Sequence, residues 1–143
     1  YNRYENLRLF LINMHTYLQS LPYPFRYRIV IVEQKNLIRK FNKGRLYNSV
    51  VKFLLNSKEI NENTKIDCFV FHDVDLIPAL HSAYLGEHGD YRCRQMPWHL
   101  SRKVRKINEN KDRLYNQFLT GGILSMRPGH FIDSNGFSNE YFG

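Results

Sequence analysis

Two aspartates spaced one apart, Asp73 and Asp75, sit in the run Phe69-Val70-Phe71-His72-Asp73-Val74-Asp75-Leu76-Ile77-Pro78. The apolar residues before them read as a buried strand. In a parallel-type α/β sheet, ligand sites gather at the carboxyl ends of strands. Side chains alternate along an extended segment, so both acids are expected on one side and Val74 on the other. Two carboxylates held side by side repel, and a divalent cation between them and an anionic ligand relieves that. Hard cations such as Mg²⁺ or Mn²⁺ take oxygen ligands and bridge to phosphates. The spacing therefore predicts a metal–diphosphate site. Paired acids at a solvated strand end are the plain alternative, and the apolar flanks on both sides weigh against it.

Two other chemistries compete. His72 beside Asp73 would suit a metal-dependent hydrolase, but such sites need further histidines upstream, and only His15 precedes it. The six histidines show no H-x-x-x-H spacing, so zinc is not expected. The stretch Arg102-Lys103-Val104-Arg105-Lys106, a net charge of +8 and ten tyrosines would suit phosphate contacts and base stacking in a nucleic-acid-binding module. No helix-turn-helix, zinc-finger or RNP pattern accompanies it, and a solvated loop explains the charges equally.

The elements that must position these residues follow from periodicity and breakers. From Glu5 to Leu21, apolar residues recur every three or four positions, which predicts an amphipathic helix stopped by Pro22 and Pro24. Tyr27 to Val32 predicts a buried β-branched strand. Asn42 to Leu55 predicts a second helix with Leu46, Val50, Phe53 and Leu54 on its apolar stripe. Gly121 to Met126 predicts a strand, and Pro128 to Ile132 a short helix ending near Asn135-Gly136. Helix and strand alternate through the first half, the rhythm of an α/β sheet with crossover helices.

At 143 residues, with 43% hydrophobic and 15% aromatic content, the chain is one domain, 1–143, with a sizeable core. Its basic balance favours anionic partners. No apolar run is long enough to span a membrane, and Tyr1-Asn2-Arg3-Tyr4-Glu5 lacks an apolar h-region, so a signal peptide is not expected within these residues. Cys68 and Cys93 bracket the aspartates; they form either one disulfide or two buried thiols. A closed loop of about 25 residues would be worth roughly 3–4 kcal/mol in the chain-entropy model.

Several motifs in order carry a family resemblance. They are Phe41-Asn42-Lys43-Gly44-Arg45-Leu46, Cys68 through Pro78, Tyr91-Arg92-Cys93 and Pro97-Trp98-His99-Leu100-Ser101. Gly121-Gly122-Ile123-Leu124-Ser125-Met126 and Asn135-Gly136-Phe137-Ser138-Asn139-Glu140-Tyr141 extend the series. Together they resemble the β-1,4-galactosyltransferase family over nearly the whole chain. The resemblance implies a GT-A fold, a Rossmann-like α/β domain that binds a UDP-sugar with Mn²⁺. It implies an inverting transfer of galactose or N-acetylgalactosamine in β-1,4 linkage to a glycan ending in N-acetylglucosamine or a related sugar. It implies a type II membrane protein with its catalytic domain in the Golgi lumen.

Residue by residue, the resemblance makes Asp75 a Mn²⁺ ligand and places Asp73, with Val74, at the ribose or donor sugar. Arg3 falls in the motif that holds the nucleotide, Phe41 near uracil, and Lys106 at a donor-contacting lysine. Lys43 stands where most relatives carry arginine, which keeps the charge but gives up the planar fork. Gly122 lets backbone approach the sugar. The resemblance also pairs Cys68 with Cys93. Leu119 occupies a position that is aromatic in galactose-using vertebrate members and aliphatic in invertebrate members using UDP-N-acetylgalactosamine, so the latter donor is expected. The family continues past the matched Tyr141 with a tryptophan- and acid-rich segment that holds its catalytic base, whereas this chain ends at Phe142-Gly143. The expectation is an internal fragment, truncated at both ends, with no catalytic base within the chain.

Overall fold

The structure, a computed structural model, describes residues 3–21, 26–35, 40–57, 65–78, 93, 95–100, 103–107, 112–114 and 122–141. Helix α1 spans Tyr4–Gln19 and buries Phe10, Met14 and Leu18, one residue per turn on a single face. Helix α2 spans Lys43–Leu55; Asn42 caps it, its side chain accepting the Arg45 amide at 2.8 Å. The apolar stripe of α2 is rotated from its expected position. Val51 is 1% exposed, with Tyr47, Val50 and Leu54 packed beside it, whereas Phe53 is 71% exposed.

Strands β1 (Phe69–His72), β3 (Trp98–His99) and β6 (Ile123–Met126) form one sheet in the order β1-β6-β3. Strands β2 (Leu76–Pro78), β4 (Lys103–Lys106) and β5 (Asp112–Leu114) form a second, in the order β2-β4-β5. Every pairing among the described residues is antiparallel, not parallel as expected for crossover helices. The run Tyr27–Val32 enters neither sheet in this structure; Val30 and Ile31 are exposed while Ile29 packs on the core. The basic stretch is not a solvated loop, because Lys103–Lys106 is the middle strand of the second sheet.

The pleat of β1 and β6 divides the core between two faces. Val70 and Ile123 face the α1 layer, with Phe10, Met14, Leu18, Leu21, Leu76 and Leu100. Phe69, Phe71 and Met126 face Val51 of α2 and Phe131 of α3 (Pro128–Asp133). Helices thus cover both faces of the first sheet, an α/β arrangement. Helix α3 starts with Pro128 in its first turn. It ends in a Schellman turn: Gly136 N–H bonds Phe131 C=O at 2.8 Å and Asn135 N–H bonds Ile132 C=O at 2.9 Å. Asn135, the residue after the cap, takes the left-handed φ of 57° that this turn requires, and Gly136 follows at 70°. Cys68, next to β1, is bonded to the buried Cys93, with Cα atoms 5.3 Å apart.

Candidate functional site

The chain makes a turn where alternation predicted a continuous extended run. Strand β1 stops at His72, and the Leu76 amide bonds back to the Asp73 carbonyl at 3.3 Å. Asp73 and Asp75 therefore flank a tight corner between the two sheets. Its backbone is anchored on both sides: Asp73 N–H bonds the Gly122 carbonyl at 3.1 Å, and Ile107 N–H bonds the Asp75 carbonyl at 3.0 Å. Gly122 has φ 94°, a conformation that a side chain would strain. Lys106, half-buried, lies one residue from the second anchor and pairs in register with Leu76.

Each acid meets a cation from a different helix start. Arg3, at the head of α1, brings Nη1 to 3.4 Å from Asp75 Oδ2. Lys43, the first residue of α2, pairs its ammonium with Asp73 Oδ1. The two carboxylates are about one-third exposed, so they remain open to a ligand while holding these partners. Lys43 Nζ also lies 5.6 Å above the ring of Tyr47, one helical turn along α2. Phe41 is part-exposed just before the Asn42 cap.

Beneath the corner lie Tyr47, which the sequence does not single out, and His72, which it offers only as half of a hydrolase centre. Tyr47 donates its hydroxyl to the His72 carbonyl at 3.2 Å and lays its ring against Phe71 and Phe137, at centroid distances of 4.8 and 5.3 Å. Burial, and then the Asp73 charge, push its phenol well above the ordinary tyrosine value. His72 donates Nδ1–H to the Asp73 carbonyl at 2.8 Å and sets its ring edge-on to Phe10, 4.9 Å away. Burial above all, with the Lys43 charge, lowers its pKa to about 4, against opposing contributions from the Asp73 carbonyl and the Asp75 charge. At neutral pH both are uncharged supports. A His72-Asp73 hydrolase centre is at odds with this placement, because the imidazole is turned onto backbone below the acids. The spacing of Lys43 and Tyr47, four apart on one helix, was the available signal for the tyrosine.

Among the described residues no three His, Cys, Asp or Glu side chains gather as a metal cage. A cleft of about 330 Å³ beside Asp67 and Arg127 lies at the opposite end of β1 from the acids. Leu119 lies outside the described residues.

Comparison with known proteins places this geometry in a class. Over the whole chain the fold matches two crystal structures of Drosophila β-1,4-galactosyltransferase 7, each with a TM-score of 0.70 and covering 52% of the solved chain. One, at 27% identity, is a mutant in complex with manganese, UDP-Gal and xylobiose. The other, at 30%, is the catalytic domain with xylobiose. The architecture is therefore that of a GT-A glycosyltransferase catalytic domain. Residues 1–88 match the N-terminal region of glycosyl transferase group 7. Relatives include human β-1,4-galactosyltransferase 4, 34% identical over 99% of this chain, and Bos taurus β-1,4-galactosyltransferase 1, 33% identical over 99%. The chain belongs to the β-1,4-galactosyltransferase family. It spans 36% and 31% of the length of those two relatives. No described helix is long and apolar enough to cross a membrane.

Proposed function

We propose that the protein carrying this chain is a Mn²⁺-dependent inverting transferase. It would move a hexose from a UDP-sugar, in β-1,4 linkage, to a glycan ending in N-acetylglucosamine or a related sugar. Residues 1–143 would form the donor-binding part of its catalytic domain, working in the Golgi lumen within a membrane-anchored protein. A single observation supports this most: Asp73 and Asp75 share one anchored corner, with Lys43 and Arg3 over them. Two acids and two bases at one point suit a ligand that brings both a cation and a diphosphate.

The part-exposed Asp75 carboxylate offers the oxygen donor that a hard cation prefers. It would be one ligand of the metal, with the rest of the shell from the diphosphate and groups outside the described residues. When bound, the cation supplies a Lewis acid for the charge developing on the departing UDP. Arg3, Lys43 and Lys106 would hold the phosphates, Phe41 the uracil face, and Asp73 with Val74 the ribose or sugar. Gly122 leaves room for the sugar beside the backbone. No described acid is assigned as the base. The test is titration of UDP with and without Mn²⁺, on wild type and Asp75→Asn. Removing one charged oxygen ligand should abolish the Mn²⁺-dependent part of binding, and an unchanged Mn²⁺ dependence would refute the assignment.

The finer proposal concerns the donor. By the family resemblance, a leucine at position 119 in place of an aromatic ring would leave room for an acetamido group and would offer its methyl an apolar contact. One pocket side chain is typically worth about 1–3 kcal/mol of discrimination. UDP-N-acetylgalactosamine should therefore outcompete UDP-galactose tenfold or more, and Leu119→Tyr should reverse the order. A wild type preferring UDP-galactose, with a tyrosine variant that leaves the ratio unmoved, would sink this.

A further inference from the structure

We infer that Arg3 is a displaceable counter-cation. It occupies Asp75 in the ligand-free protein, and it leaves that carboxylate to the metal when a diphosphate arrives to take its guanidinium. The inference rests on the transferase reading and adds an order of charge exchange within the site. The corner is the fixed part, since both Asp73 N–H and the Asp75 carbonyl are tied to neighbouring backbone. Arg3 is the loose part: it is 57% exposed, it touches Asp75 at 3.4 Å, and as the residue before α1 it makes no capping bond with its side chain.

The charges explain why the exchange is coupled. Arg3 pairs with Asp75 and Lys43 with Asp73, so each carboxylate has its own counter-charge before any ligand arrives. A divalent cation entering alone must evict Arg3 and leave it uncompensated on a chain of net charge +8. A diphosphate entering alone faces two carboxylates. Entering together, the metal takes Asp75 and the guanidinium forks onto phosphate, a geometry that suits arginine better than lysine. Each ligand therefore raises the affinity of the other, and by linkage the two effects are equal. Lys43 has no such role toward the metal, because it faces Asp73.

The signature is an opposite response of two affinities to one substitution. Free Mn²⁺ can be read by its electron paramagnetic resonance signal during titration of the protein, without UDP and then with it. Arg3→Gln should tighten Mn²⁺ binding in the absence of UDP by about two- to fivefold, the scale of a part-exposed ion pair. The same variant should weaken UDP binding in the presence of Mn²⁺. Arg3→Lys should restore the wild-type affinity for Mn²⁺ alone while remaining weaker for UDP. If Arg3→Gln weakens both ligands, or leaves Mn²⁺ affinity unchanged, the inference is overturned while the transferase reading stands. A wild-type protein that binds no UDP with Mn²⁺ present would instead sink that reading, and the inference with it.

Discussion

Asn48 and Phe137 exchange a complete pair of hydrogen bonds across 89 residues of sequence. The Asn48 amide nitrogen donates to the Phe137 carbonyl at 2.8 Å, and its oxygen accepts the Phe137 N–H at 2.9 Å. The same nitrogen also donates to Asn139 Oδ1 at 3.0 Å, and Asn42 donates to the Asn139 carbonyl at 2.7 Å. Helix α2, which carries Lys43 to Asp73, is therefore held at its start by the segment after α3. A side chain here behaves like one more strand edge.

Truncating Asn48 leaves both polar groups of Phe137 without these partners in a part-buried place. Asn48→Ala should lower unfolding free energy by about 2–3 kcal/mol, the scale of losing two such bonds with their desolvation cost. Asn48→Asp keeps the acceptor and loses the donor, so it should fall between wild type and alanine at neutral pH. Urea unfolding of the three proteins checks the order. Equal stabilities would show that the exchange contributes nothing.

Two helix glycines should respond with opposite signs to the same change. A Cβ on Gly44 would run into the Ser138 carbonyl, which is backbone and cannot swing aside. A Cβ on Gly129, in α3, would meet nothing within 4 Å. Gly129→Ala should therefore gain about 0.5–1 kcal/mol from helix propensity, whereas Gly44→Ala should lose stability despite the same propensity gain. Thermal melts of both variants decide it.

Much of this was legible in the chain, and the failures have identifiable causes. Helices α1 and α2 and strands β1 and β6 follow from local periodicity, and α3 from Pro128 and Asn135-Gly136, all signals within a few residues. Tyr27–Val32 has strand composition, but composition does not say whether a partner strand exists, and here it stays outside both sheets. Two-residue periodicity predicts an extended run at the aspartate corner, because it carries no sign of the Asp73–Leu76 turn. Local periodicity phases the α2 stripe onto Phe53, which faces out, because the helix's packing neighbours Phe69 and Phe131 lie far along the chain. The acids of the site were visible from their spacing. Their supports were not, since Tyr47 and Asn48 meet partners 25 and 89 residues away.

The disulfide ties the start of β1 to Cys93 across a sequence separation of 25. Its removal releases that loop in the unfolded chain and leaves a hydroxyl in a site where Cys93 is 4% exposed. The Cys68→Ser/Cys93→Ser variant should lose about 2–4 kcal/mol. Intact mass without reductant should be two hydrogens below the reduced value, and free alkylation of both thiols in the folded protein would contradict the bond.

The buried imidazole of His72 should make folding sensitive to mild acid. Its pKa falls from an ordinary 6.5 to about 4 in the folded protein, through burial first and the Lys43 charge second. Between those values the unfolded chain binds a proton that the native state refuses. Stability is therefore fully present above pH 6.5 and declines as pH falls toward 4, by up to about 1.4 kcal/mol per unit and at most about 3.5 kcal/mol in all. The groups around the ring are the Phe10 edge, the Asp73 carbonyl, Lys43 and the Asp75 carboxylate. His72→Gln removes the titrating group, and its urea midpoint should change less between pH 7 and 5 than that of wild type. The comparison is made with chelator present, so that metal binding at the neighbouring acids does not enter. Parallel pH profiles for the two proteins would mean that His72 does not carry the acid sensitivity.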